Sequence, residues 1–403
     1  MRLPSSEQPR HRLYDIPNVE EVAQKYQQKV AYENELTPTS FRLGYHPALD
    51  GLRAVAVLSV MIYHTHPPYP LGGFIGVDIF FVLSGFLITL LIVKELALYH
   101  AFDFRRFYVR RALRLLPALL LLLTMYLVVV ALFLDSSDKM QRIKDVLVVL
   151  FYSSNWVRAL DLRTLEFLSH TWSLAAEEQF YLLWPIILVL LYRYLPSWGT
   201  RLGVVLLAAI AAWLLRVSLY VTGTSMERLY HGLDTHGDAL LLGCALAIFI
   251  SGVPVQSNRV VKQGLFWWAV LAAITGLFYI SVTADRLDPL MIILGYFAVA
   301  LFSATIILYV VQHKDSLLSR FLQRRELVWI GQISYGLYLW HYPIFGILRS
   351  YFYITDWRQL LFIGGILTFI AAAASFYLLE RYFLGLKIKF GRNLNLDPQT
   401  NSK

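Results

Sequence analysis

Arg53 and His64 are ionisable residues within one apolar run, His46–His64, and stand eleven positions apart. Eleven helical steps of about 100° return a side chain to nearly the same face while rising about 16 Å. The two therefore mark one lane along a helix, and the imidazole at its end can take a proton from a hydroxyl as a general base. On the next run, Asp78 lies at a depth similar to His64. A carboxylate bonded to one imidazole nitrogen fixes the tautomer and raises the basicity of the other. Arg111 and Arg114 are three apart and share a helix face, and their forked guanidiniums suit phosphate oxygens. Glu177 and Glu178 enter a further apolar run just after His170 and Trp172, Asp238 opens another, and His341 sits within a third. Each has a plainer reading: a snorkelling arginine, an interfacial or structural histidine, a basic loop, carboxylates favoured at helix starts. Taken together they point to one shared polar cavity, because ionisable groups within spans are costly.

Helices must carry these residues. The 403-residue chain is 57% hydrophobic and 16% charged, where an average soluble protein is about 25% charged. Apolar runs near the length that crosses a bilayer recur, and runs such as Leu115–Leu134 do not alternate as barrel strands would. The expected fold is an all-α, polytopic transmembrane helix bundle of about ten spans, roughly 48–66, 74–94, 113–134, 176–194, 202–221, 237–251, 264–283, 290–311, 328–348 and 359–379. A shorter apolar piece at 143–156 reads as re-entrant or interfacial. Residues 1–46 read as a polar cytoplasmic tail, 47–385 as the transmembrane domain and 386–403 as a second cytoplasmic tail.

Basic residues set the orientation. The arginines of 102–114, the Lys and Arg residues of 312–325 and those of 381–392 all lie inside only if 143–156 does not cross. Both termini then face the cytoplasm of a multi-pass protein of the cell (inner or plasma) membrane. His64, Asp78, Glu178, Asp238 and His341 fall in the outer halves of their spans, and the arginine pair at the inner ends. The net charge of +9 belongs to those loops, and without a basic stripe or recognition module it excludes a nucleic-acid partner. Cys244, the one cysteine, permits no internal disulfide and reads as a packing residue. No metal is expected.

The ordered series Leu49–Val57 with His64, Gly73–Thr89, Phe107–Pro117, His170–Leu182, Asp238–Gly243 and Ile333–His341 resembles acyltransferase family 3, membrane enzymes that O-acylate surface sugars and some antibiotics. The likeness covers roughly 46–385. The family's Arg-X10-His motif falls on Arg53 and His64, and its Arg-X-X-Arg motif on Arg111 and Arg114. The resemblance implies that Arg53 and His64 are essential and that the arginine pair serves the acyl-CoA side. Some relatives add an extracytoplasmic hydrolase-like domain. None is expected here, so the acceptor is met by the membrane domain or by a separate envelope-biosynthesis partner.

The expected reaction moves an acyl group, acetyl first among them, from acyl-CoA (a co-substrate, with no bound cofactor) to a hydroxyl of a carbohydrate or glycosylated acceptor. Acyl-CoA docks with its phosphates near Arg111 and Arg114, its arm follows the lane of Arg53, and His64 acts as base. Asp78 or Glu178 orients the imidazole, His341 joins the catalytic set, and an arginine or Tyr335 meets the oxyanion. Trp172, Asp238 and Tyr335 are expected to contact the substrates. The competing function is a transporter or exporter of a glycan precursor through the same cavity, which would move a labelled acetyl group without forming an ester.

Overall fold

The computed structural model describes residues 45–133, 136–253 and 263–389. The tail expected over 1–46, save its last two residues, and most of that expected over 386–403 lie outside the described residues. All described regular structure is helical. In chain order the helices are α1 (Pro47–Tyr63), α2 (Gly76–Tyr99), α3 (Phe104–Phe133), α4 (Ser136–Leu150), α5 (Ser154–Ala159), α6 (Thr171–Tyr194), α7 (Trp198–Val221) and α8 (Met226–His231). There follow α9 (Leu233–His236), α10 (Asp238–Gly252), α11 (Gln263–Thr283), α12 (Tyr296–Gln312), α13 (Leu317–Leu322), α14 (Arg325–Gln332), α15 (Ser334–Tyr351) and α16 (Trp357–Leu386). In hydrocarbon a backbone must satisfy itself, and uninterrupted helix does so.

Among the described residues seven helices, α2, α3, α6, α7, α11, α12 and α16, are long and apolar enough to cross a bilayer, so the chain is a multi-pass membrane protein. The expected count of about ten is not confirmed by length and composition. The runs 48–66, 237–251 and 328–348 appear as α1, α10 and α15, of 17, 15 and 18 residues. These are the helices that bring Arg53, Asp238 and His341 into the bundle, and their polar residues shorten or dilute the apolar stretch. They are also well enclosed: α10 buries 11 of its 15 residues. The piece at 143–156 is broken, α4 ending at Leu150 and α5 beginning at Ser154. Gln179 of α6 ties that break down by donating to the Tyr152 carbonyl at 2.7 Å and to Asn155 Oδ1 at 2.9 Å.

The tightest crossing is between α2 and α10. A side chain at Gly85 would run into the Leu240 carbonyl, and one at Gly243 into that of Val82, so small residues on both helices let the backbones meet. Beside this crossing lies a clamp. A π-helical turn at Met291–Gly295 widens the backbone and turns carbonyls outward. Two side chains of α7 take them: Trp213 Nε1 donates to Ile293 O at 2.6 Å and Arg216 Nε to Ile292 O at 2.9 Å. Arg216 also donates to Thr235 O at 2.6 Å and grips both oxygens of Asp238 at 2.9 and 2.8 Å, with no solvent exposure.

Candidate active site

Three helices bring imidazoles to one place. His64 closes α1, His170 precedes α6, and His341 lies within α15. The His341 ring centroid is 5.0 Å from that of His64 and 5.5 Å from that of His170. The local sequence explains the arrangement. Pro343 has no N–H to give the carbonyl four residues back, and His170 Nε2 donates to that carbonyl, Leu339 O, at 3.1 Å. Tyr338, one residue before Leu339, donates to the His170 carbonyl at 2.9 Å, so α6 and α15 are stitched at this level.

The hydrogen bonds fix the tautomers. His341 Nδ1 faces the carbonyls of Leu337 at 3.1 Å and Tyr338 at 2.6 Å. Carbonyls only accept, so in the neutral ring the proton is on Nδ1 and the lone pair on Nε2. His64 Nδ1 stands 3.1 Å from that Nε2 and 3.0 Å from Val60 O. Facing two acceptors, it is the donor. The lone pair of His64 is thereby left on Nε2, the form a general base needs.

His64 lines a cavity of about 430 Å³. Trp172, Tyr230, Tyr338 and Tyr342 are among its walls, apolar ring faces of the kind that receive the C–H face of a sugar. Arg158, Arg286 and Arg349 also line it, none of them evident from the sequence because they lie in or near loops with ordinary surface composition. Glu227 of α8 accepts from Arg286 at 2.8 Å and Arg158 at 3.4 Å, and its carboxylate lies 3.1 Å from His231 Nδ1. His231 and the two guanidiniums hold the Glu227 carboxyl down at about 2, below its ordinary value of 4.5. A carboxyl depressed by folding contributes stability above its unfolded value, and that contribution disappears as pH falls through the folded one. The expected result is that wild type melts above Glu227→Gln at neutral pH in detergent, with the difference closing as pH falls from 4.5 towards 2.

A second polar layer lies along the same helices, about 16 Å from His64 on α1 by the helical rise. Arg111 of α3 donates Nε to Glu178 Oε2 at 2.9 Å and Nη2 to the other oxygen, and lies 3.2 Å over the Tyr181 ring. Glu177 accepts from Ser84 and, at 3.2 Å, from Tyr181. Arg53 is 3.7 Å from Asp50. Arg114 is exposed and, among the described residues, has no carboxylate at ion-pair distance. The two arginines of the spaced pair are therefore unequal: Arg111 is paired with a carboxylate at close range and Arg114 is not.

Several expected placements change. Glu178 belongs to the arginine layer and not beside His64, because α6 carries it eight residues, about 12 Å, beyond His170. Tyr335 is in that layer too, donating to Leu115 O at 3.0 Å, one and a half turns from His341 and away from the cavity. Asp78 is buried next to the cavity but meets His236 Nε2 at 2.7 Å, not His64. The spacing of His236 in the sequence does not single it out; its Nδ1 is held by Tyr230 O at 2.7 Å, and its ring stacks on Trp172. Asp238 does not line the cavity, being closed off by Arg216. Arg216 is an arginine inside an apolar span, a signal the sequence did offer. Trp172 and His64 are on the cavity wall, and His341 stands behind His64.

The family model for the acyltransferase domain, acyltransferase 3, matches residues 46–379. The chain is similar to the O-acetyltransferase OatA of Staphylococcus aureus (strain NCTC 8325 / PS 47), 37% identical over 319 residues, which is 76% of this chain and 52% of that protein. It is 35% identical over 372 residues to the peptidoglycan O-acetyltransferase OatA of Listeria monocytogenes, 87% of this chain and 59% of the relative. It is 38% identical over 313 residues to the putative peptidoglycan O-acetyltransferase YrhL of Bacillus subtilis, 74% of this chain and 48% of the relative. The chain thus spans about half the length of the curated relatives it matches. No solved structure matches it. The match spans both the histidine cavity and the arginine layer, and the chain belongs to the acyltransferase 3 family.

Proposed function

We propose that this protein is a membrane O-acetyltransferase that moves the acetyl group of acetyl-CoA to a hydroxyl of an envelope glycan, with His64 as general base. The observation that carries this is the tautomer chain from the Leu337 and Tyr338 carbonyls through His341 to His64, which leaves the His64 Nε2 lone pair on a residue of the cavity wall. The names of the relatives supply acetyl and peptidoglycan as donor group and acceptor class. Residues 47–385 would form the transferring unit, with the tails and the arginine layer on the cytoplasmic side and the cavity outside.

In this reaction the acceptor O–H gives its proton to His64 Nε2 as its oxygen bonds to the thioester carbonyl carbon. The C–S bond then breaks, the ester is released, and the imidazolium proton passes to the departing thiolate. His341 acts through His64, accepting its Nδ1–H and so fixing which nitrogen is basic. The donor's phosphates would meet Arg114, while Arg111, locked to Glu178, holds α3 against α6. The cavity wall does not include Arg53, Arg111 or Arg114, so the arm of the donor must part side chains along the lane to bring its carbonyl to His64.

The two arginines should separate kinetically. A hydrogen bond to a charged group is worth about 1.5–3 kcal/mol, so Arg114→Ala is expected to raise KM for acetyl-CoA roughly tenfold or more with kcat little changed. Arg111→Ala strands Glu178 and should lower the yield of folded protein instead. Initial rates with labelled acetyl-CoA in membranes would check this; an unchanged KM in Arg114→Ala removes the phosphate role.

A further inference from the structure

We propose that the arginine rim of the cavity is an anion subsite that selects an acceptor sugar bearing a carboxylate or phosphate, with Arg349 as its principal ligand. This rests on the reading of the cavity as the place where the acceptor hydroxyl is acylated. Three guanidiniums, those of Arg158, Arg286 and Arg349, line the cavity against a single carboxylate, that of Glu166. Glu166 is already committed to Arg142. Glu227, behind the rim, serves both Arg158 and Arg286, so one negative charge is shared between two positive ones. A neutral glycan would leave this excess uncompensated in a half-enclosed space, where charges are screened less than on an open surface.

Arg349 is the least satisfied of the three. Among the described residues it has no carboxylate at ion-pair distance, and it makes one hydrogen bond, from Nη2 to the His64 carbonyl at 3.0 Å. A guanidinium carries five N–H donors, and the planar fork of Arg349 can grip two oxygens of one anion. Its single bond also holds the guanidinium beside His64. The carbonyl it holds belongs to the residue whose imidazole takes the proton, so an anion on Arg349 lies next to the hydroxyl being activated. Trp172 and Tyr342 line the same cavity as flanking ring faces. The anion is not consumed; it sets which hydroxyl faces His64 Nε2.

The test uses the full chain purified in detergent and three disaccharides of one skeleton: neutral, carboxylate-bearing and phosphate-bearing. Binding is read by calorimetry and acetyl transfer is read separately. Wild type should bind at least one charged sugar about tenfold more tightly than the neutral one, the increment expected of a charge-assisted pair, and the preference should weaken with salt. The tighter of the two charged sugars identifies the anion. Arg349→Gln should bring the preference to within about twofold without weakening the neutral sugar, and Arg349→Lys should keep part of it. Equal binding of all three sugars by wild type, or an Arg349→Gln loss shared by neutral and charged sugars, overturns the proposal. Should Arg349→Gln not fold, the wild-type comparison and Arg349→Lys, which keeps the charge but not the fork, decide the matter on the same ratio. A charged-sugar preference without acetyl transfer to any of them overturns the transferase reading and leaves the subsite standing. Transfer without the preference does the reverse.

Discussion

Replacing His64 by alanine is expected to cut acetyl transfer by a hundredfold to ten-thousandfold, the range a positioned general base contributes, with the protein still folded. His64 ends α1, where its side chain bonds to Val60 O and His341 and meets the Tyr63 and Tyr342 rings edge-on, so its loss trims contacts at a helix end and leaves the helix itself in place. His341→Ala should be milder. It removes the acceptor that holds His64 Nδ1–H but leaves the Val60 carbonyl in place, and a loss of about tenfold fits one neutral hydrogen bond of about 1 kcal/mol and some loss of orientation. The measurement is labelled acetyl appearing as ester in membranes, normalised to folded protein by its melting temperature. Near-normal transfer by His64→Ala would refute the base assignment. Equal losses in both variants would make the two imidazoles one functional unit.

Asp238→Ala should be more severe for the fold than any other single change at these sites. It strands Arg216, whose guanidinium has no exposure and loses two of its oxygen partners. Removing one member of a buried pair costs about 3–5 kcal/mol, a large fraction of the roughly 5–15 kcal/mol that separates folded from unfolded domains. The variant should yield little monodisperse protein in detergent and melt many degrees lower. Arg216→Met with Asp238→Leu, which removes both charges, should recover a good part of that stability. A normally folded Asp238→Ala with weakened acceptor binding would instead return Asp238 to the substrate-contacting role that its place at a helix start suggested.

The sequence by itself determined the class of the fold, because apolar runs of bilayer length leave the backbone no alternative to helix. It also determined the pairing of Arg53 with His64 along one helix, since that depends only on the helical repeat, and it picked His341 and Trp172 from their types and settings. The number of long spans was less legible. α1, α10 and α15 are shortened or diluted by the polar groups they carry, and whether such a helix is long enough depends on what its neighbours enclose. Only the tertiary structure decided the partners. Asp78 and Glu178 look equivalent in sequence, both carboxylates near one end of an apolar run, but α2 delivers the first to His236 and α6 the second to Arg111. The arginine rim is built from residues 158, 286 and 349, far apart along the chain, and its excess of charge exists only where folding brings them together. Spacing along one helix is local geometry, and a sequence carries it in full. Which charge meets which across helices is settled by packing, and there Arg53 and His64 acquired different partners, Asp50 for the first and His341 for the second.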